Sequence, residues 1–283
     1  MRTLFYLALT AYFLGTVFSI LYFLRRSRLF GRVYLGAVIV GFLAHTTLIG
    51  AIWIATGELP TASHGGSMVF FSWVIIALLA LLEARYRLPV MGSFVLPWAF
   101  IPMLYAAFLN RTPTHAPALL RSGWFFAHTT LAFLAYAAFV IAFAGGIMYL
   151  LQERQVRSHR PGATFRRLPP LDTLDEVNRW AIALGFPLLT LGIVTGAIWA
   201  ELAYGRLPVD PKVVWSVVTW LIYGAILNAR HTFGWRGRKA AKLAIVGFGL
   251  MMFGYVVVNV HYTGFHSFRH AFRLLGAAGG SGM

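Results

Sequence analysis

This sequence predicts an all-α, polytopic membrane bundle of about eight transmembrane helices, and three observations predict it. Hydrophobic residues fill 59% of the 283 positions and charged residues only 11%, a balance far from that of a soluble globular chain. The apolar residues gather into eight runs, most of them long enough to cross a hydrocarbon core of about 30 Å as helix. The 24 Lys and Arg, against 8 Asp and Glu, stand in short clusters at the ends of those runs.

The first run, Thr3 to Leu24, is too long for the apolar part of a secretory leader and is followed by no small-residue cleavage site, so it reads as a retained helix. The second, Val33 to Ala55, carries His45 within it. The third is Ser67 to Leu82 and the fourth Val90 to Phe108, and short connections make antiparallel neighbours. The fifth, Trp124 to Leu151, is followed by the basic segment RQVRSHRPGATFRRLPP and an acidic turn from Asp172 to Glu176. The sixth, Trp180 to Tyr204, and the seventh, Val213 to Asn228, are joined by a tight polar loop holding Asp210, Pro211 and Lys212. The eighth runs from Ala240 to Tyr262, and residues 274–283, ending in AAGGSGM, read as a disordered tail. With no long soluble segment and no repeat of 20 to 50 residues, positions 1–283 read as a single transmembrane domain.

Orientation follows from where the cations fall. Connections after the first, third, fifth and seventh runs hold 17 of them: Arg25, Arg26, Arg28 and Arg32; Arg85 and Arg87; Arg154, Arg157, Arg160, Arg166, Arg167 and Arg179; Arg230, Arg236, Arg238, Lys239 and Lys242. The opposite face has 7, so the positive-inside bias puts both termini and the loop from Tyr204 to Lys212 outside the cytoplasm, in a multi-pass protein of the cell's inner (plasma) membrane.

The same placement bears on the net charge of +16. The cations are spent on topology and are not interleaved with aromatics along a surface, which argues against a nucleic-acid partner. The absence of Cys removes disulfides, thiolate metal sites and a Cys nucleophile, so thiol chemistry would need a partner's thiols. Neither a Walker loop nor a dinucleotide glycine fingerprint occurs, which argues against ATP-driven transport. The 28 glycines fall largely in apolar helices, where they permit close packing.

The loop between the sixth and seventh runs is the expected working surface. Trp199, Tyr204, Trp215, Trp220 and Tyr223 crowd it from both sides, and Asp210 and Lys212 are among few charges on that face. A flat, mostly apolar ligand with an anionic edge would suit such a site. Of the nine histidines, His45, His128, His261 and His266 sit inside a span or at an interface. His128 opens the fifth span and the other two end the eighth, so these three converge on the face of the Asp210 loop. Neutral imidazole is a good axial ligand for haem iron, and two imidazoles from separate helices can clamp a porphyrin. Each is also explained as an interfacial histidine with a satisfied hydrogen bond. His45 lies 13 residues beyond Arg32, roughly 20 Å up its helix at 1.5 Å per residue, where an ionisable group is a functional candidate, here for haem binding, or packs against a Ser or Thr across a helix interface. His231 ends the seventh span beside Arg230, and His64, His115, His159 and His270 read as solvated loop residues.

The order GFPLLTLGIVTGAIWA, Tyr204-Gly205, Asp210-Pro211-Lys212, WSVVTWLIYGAIL, GWRGRKAA and GFHSF, from about His128 to Phe268, resembles the cytochrome c assembly family of the CcsA, ResC and CcmC type, the WWD-domain proteins. FFSWVIIALLALLEARYRLPVMGSFVLP also resembles that family with less specific residues. The resemblance implies haem b presented at the outer face for attachment to apocytochrome c, with two outer histidines flanking a tryptophan-rich loop. By motif these are His128 and His266, the second in HSF. Trp199, Tyr204 and Trp215 would then contact the ring, Arg206, Lys212 or Arg269 would meet the propionates, and Asp210 keeps its place in the loop.

Two departures mark a divergent member. Leu207 and Val209 stand where the family loop carries tryptophans, and Val213 replaces an acidic residue. Asn228, with His231 three residues on, stands where the family places a histidine in LHTR. Two readings follow from the resemblance. One is a haem-delivering subunit of a cytochrome c synthase, working with a second assembly subunit that holds apocytochrome c. The other is a HemX-like haem-binding membrane protein that regulates tetrapyrrole synthesis. A structural or transporter bundle without haem is a third.

Overall fold

A computed structural model describes residues 1–61, 63–109, 118–158, 162, 165–205 and 211–261. Among these the regular structure is helical: α1 (Arg2–Arg25), α2 (Arg28–Thr56), α3 (His64–Tyr86), α4 (Gly92–Ala107), α5 (Gly123–Arg157), α6 (Leu171–Tyr204), α7 (Pro211–Thr232) and α8 (Arg238–His261), with short 3₁₀ turns at Pro89–Met91 and Ala118–Arg121. Among the described residues seven stretches are long and apolar enough to cross a membrane, namely α1 to α3, α5 to α7, and α4 together with its preceding turn. The expected multi-pass bundle is therefore present, and α8 supplies a helix where the eighth run was expected.

Each helix stops for a local reason. Arg26 and Arg87 close α1 and α3 in the left-handed region at φ 50° and 53°, and Gly57 and Gly205 do the same for α2 and α6 at no steric cost. Ser63 and Ser122 cap α3 and α5 by accepting backbone N–H groups. The helices overrun the expected apolar runs. At 35 and 34 residues, α5 and α6 are about 50 Å long, so they project well beyond a hydrocarbon core. One expectation is corrected here: Asp172 to Glu176 form the first turns of α6 and not a separate turn. Pro170 precedes the helix, and Asp172 in the first turn complements the positive end of the helix dipole.

Lipid offers little hydrophobic drive for helix association, so close fit has to hold the bundle. Side chains accordingly nest on glycines of neighbouring helices: Tyr12 of α1 on Gly41 of α2, and Phe139 of α5 on Gly185 of α6. The main antiparallel hairpins are α1 with α2 and α5 with α6; α4 lies against α1 and α3, and α8 packs on α5 and α7. Phe139 stacks on Tyr223 of α7 with centroids 3.5 Å apart and planes within 7°, and both are fully buried. Tyr223 and Trp220 were expected beside the loop. They belong instead to the bundle interior, because 12 residues of helix carry Tyr223 about 18 Å from Pro211. Trp220 stacks on Phe186 and donates its indole N–H to Thr190 at 2.8 Å.

The two ends of the bundle are fastened differently. At the arginine-rich end Arg230 of α7 is buried and donates Nη2 to Asp175 Oδ2 at 2.9 Å and Nη1 to Asn178 Oδ1 at 3.2 Å, both on α6. The other oxygen of Asp175 accepts the Gly237 N–H at 2.9 Å, and the Asn178 amide donates to Ala142 O of α5 at 2.9 Å. One buried cation thus joins three helices and the turn into α8. At the opposite end, Arg121 before α5 pairs with Glu58 after α2 at 2.9 Å, and the His64 ring meets Tyr105 edge-on at 5.7 Å. His64 is the first residue of α3, half-buried, and not the solvated loop residue expected.

Candidate functional site

The end of the bundle that holds Arg121 and His64 also holds His128, one and a half turns into α5. Its ring is half-buried and lies against α6, with Nδ1 2.7 Å from the carbonyl oxygen of Gly192. A carbonyl only accepts, so Nδ1 carries the proton, and in the neutral ring the lone pair then resides on Nε2. One turn further along α6, Gly196 leaves the space that the ring occupies: any β-carbon there would overlap Nδ1. Two glycines at i and i+4 thus fix the tautomer and the ring plane, as an outer hydrogen-bond partner does for ligating histidines. The sequence reading singled out His128 and missed Gly192 and Gly196. The signal was present as the GIVTG spacing, a small-xxx-small pattern at which a neighbouring element approaches closely.

The aromatic residues near this end fall on two helix pairs. Trp199, only 4% exposed, packs on Phe125 of α5 at 5.0 Å and on Tyr204 at 5.7 Å, joining α5 to the end of α6. Trp215 of α7 packs on Gly254 of α8 and meets Phe253 at 6.4 Å; its indole N–H is buried with no hydrogen-bond partner among the described residues. Such an orphaned donor is what a carboxylate-bearing ligand could satisfy. Lys212 begins α7 at the same end, where it acts electrostatically on His64. Arg206, Asp210, His266 and Arg269 lie outside the described residues, as do His115, His159 and His270. Of His261 only the backbone, at the end of α8, is described.

His45 is not part of this group. It is wholly buried in α2, about 16 Å of helix from Thr56, and its Nδ1 is 3.1 Å from the hydroxyl of Tyr12 on α1. The backbone of Val69 on α3 lies near the ring, while Nε2 makes no hydrogen bond of normal geometry. The partner expected across the helix interface was a Ser or Thr; the hydroxyl here is that of a tyrosine instead. Tyr12→Phe should therefore lower the thermal midpoint in detergent by an amount worth about 1 kcal/mol, since it strips a buried ring of its hydrogen bond. A neutral result would mean that packing alone holds the ring. At the other end of the bundle, Asn228 is exposed and accepts from Thr232 at 2.7 Å, and His231 is exposed, so neither faces the interior.

Fold and site define a class: a multi-pass helical membrane protein that holds an oriented imidazole at one end of its bundle. The family model for the cytochrome C assembly protein matches residues 61–266. The chain belongs to the cytochrome c assembly protein family. It is 29% identical to the cytochrome c biogenesis protein CcsA of Guillardia theta, over 93% of this chain and 92% of that one. It is 32% identical to CcsA of Synechococcus elongatus, over 80% and 84%, and 33% identical to CcsA of Thermosynechococcus vestitus, over 80% and 83%. Its fold is shared with the solved structure of the cytochrome c heme lyase CcmF, at TM-score 0.66 and 21% identity over 89% of this chain, which spans 45% of that one's length. These similarities lend nothing to the HemX-like alternative.

Proposed function

We propose that this protein binds haem b and holds it at the outer face of the plasma membrane for attachment to apocytochrome c, as one subunit of a synthase. The observation that carries this reading is the His128 ring, whose Nδ1 lies at hydrogen-bond distance from the Gly192 carbonyl, so that Nε2 would be the nitrogen to meet iron. His266 is the second ligand in this proposal, with Trp199, Tyr204 and Trp215 against the macrocycle and Arg206, Lys212 or Arg269 at the propionates. Asp210 keeps the loop's polar edge. The buried indole N–H of Trp215 supports the fit to an anionic edge. His45 takes no part, because its ring is enclosed by α1 and its own helix. Haem is cargo here; a second assembly subunit presents the apocytochrome, and thioether formation uses that protein's thiols, since this chain has no Cys. The names of the relatives support a place in cytochrome c biogenesis.

Purified protein should show a Soret band, and His128→Ala and His266→Ala should each lose or shift it. An unchanged band in both variants would remove the paired-imidazole assignment. Deleting the gene should abolish holocytochrome c; a deletion strain that still assembles cytochromes, with altered haem-precursor levels, would favour regulation over delivery.

A further inference from the structure

The arginine-rich end carries a groove that the proposed haem site does not include. Between the last turns of α5 and the start of α8 lies a groove of about 430 Å³, within the range of small-ligand sites, lined by Leu150, Glu153, Arg154, Arg157, Arg238 and Lys242. Four cations face one carboxylate. Glu153 is fully engaged: Oε1 takes Arg157 at 3.0 Å and Oε2 takes Arg238 at 3.4 Å, which ties α5 to α8. Arg154 and Lys242 are exposed and have no ion-pair partner among the described residues. No acidic residue in the first turn of α8 offsets them. The positive-inside bias explains why cations lie at this end; it does not explain why they converge on one groove whose carboxylate is already spent.

The level of the groove identifies what fits it. Leu150 and the exposed Leu151 lie one turn toward the apolar part of α5, while the cations lie on the outward side. Trp235, which receives the Lys239 ammonium on its ring at 5.2 Å, stands in the turn just before α8, and tryptophan gathers at the headgroup layer. A ligand with a phosphate among cations and acyl chains along Leu150 and Leu151 satisfies both halves. We infer that this groove binds the headgroup of an anionic phospholipid, whose phosphate is held by Arg154 and Lys242 and whose presence bridges α5 to α8.

The test uses the full chain purified in neutral detergent. Added phosphatidylglycerol should raise the thermal midpoint saturably, whereas phosphatidylcholine and inorganic phosphate at the same concentrations should not. Arg154→Gln with Lys242→Gln should raise the half-saturating phosphatidylglycerol concentration tenfold or more. Arg28→Gln with Arg32→Gln, removing two exposed cations at the same end but outside the groove, should leave it within twofold. Should the first pair fail to fold, the charge-keeping pair Arg154→Lys with Lys242→Arg and the single Lys242→Gln supply the comparison, the first retaining the response and the second losing part of it. An equal response to phosphatidylcholine, a response reproduced by inorganic phosphate alone, or glutamine variants that match the wild type would overturn the assignment.

Discussion

Arg230→Ala is expected to cost about 3 kcal/mol of stability, the largest loss we foresee for a single truncation at the arginine-rich end. The guanidinium side chain is 6% exposed and holds Asp175 at 2.9 Å and Asn178 at 3.2 Å. Removing one member of a buried pair strands the other, which is why such losses run to about 3–5 kcal/mol; Asp175, 21% exposed, can partly rehydrate, and that puts the expected cost at the lower end. Arg230→Lys should recover only part, because a single ammonium cannot span both acceptors as the planar fork does. Arg236→Ala, at an exposed position of the same end, is the control. If thermal unfolding in detergent gives Arg230→Ala and Arg236→Ala the same midpoint, the three-helix clamp is not holding this end together.

Gly196→Ala should disturb the site without replacing any residue that could bind iron. Its methyl group would overlap the His128 imidazole, so the ring has to swing away from the Gly192 carbonyl or the helices have to part. Loss of an orienting contact of this kind typically weakens a metal site 10- to 100-fold, and haem titration followed at the Soret band should show at least a tenfold loss. A second measurement needs no haem. Gly196→Ala should lower the thermal midpoint of the haem-free protein, and adding His128→Ala to it should restore part of that loss, because the double variant removes the overlap. Additive losses would place the His128 ring somewhere other than over Gly196.

Much of the architecture was legible in the residues. Apolar runs ended by basic clusters locate the helices because lipid imposes one rule on every span: backbone polar groups must be satisfied within it. What those runs could not give was how far α5 and α6 continue beyond the apolar level. Past that level helix is sustained by capping, charge and neighbours, as at Pro170, Asp172 and the Asp175–Arg230 pair. The aromatic cluster was misread in part for a related reason. Position relative to a loop says little about which face of a helix a ring occupies, and the turn-by-turn rotation of α7 sends Trp220 and Tyr223 into the interior while Trp215 turns to α8. Arg230 shows the same limit. Counted by composition it is one more topology charge; in the bundle it is a buried structural cation.

By itself the sequence determined the class of the protein, its helix count and its family likeness, since each depends on composition or on local order along the chain. Only the tertiary structure decided that His128 is oriented by two glycines of α6, that His45 is sealed against Tyr12, and that four cations of α5 and α8 share one groove. Those facts turn on which faces of distant helices meet, a matter of close packing between surfaces that chain spacing does not encode.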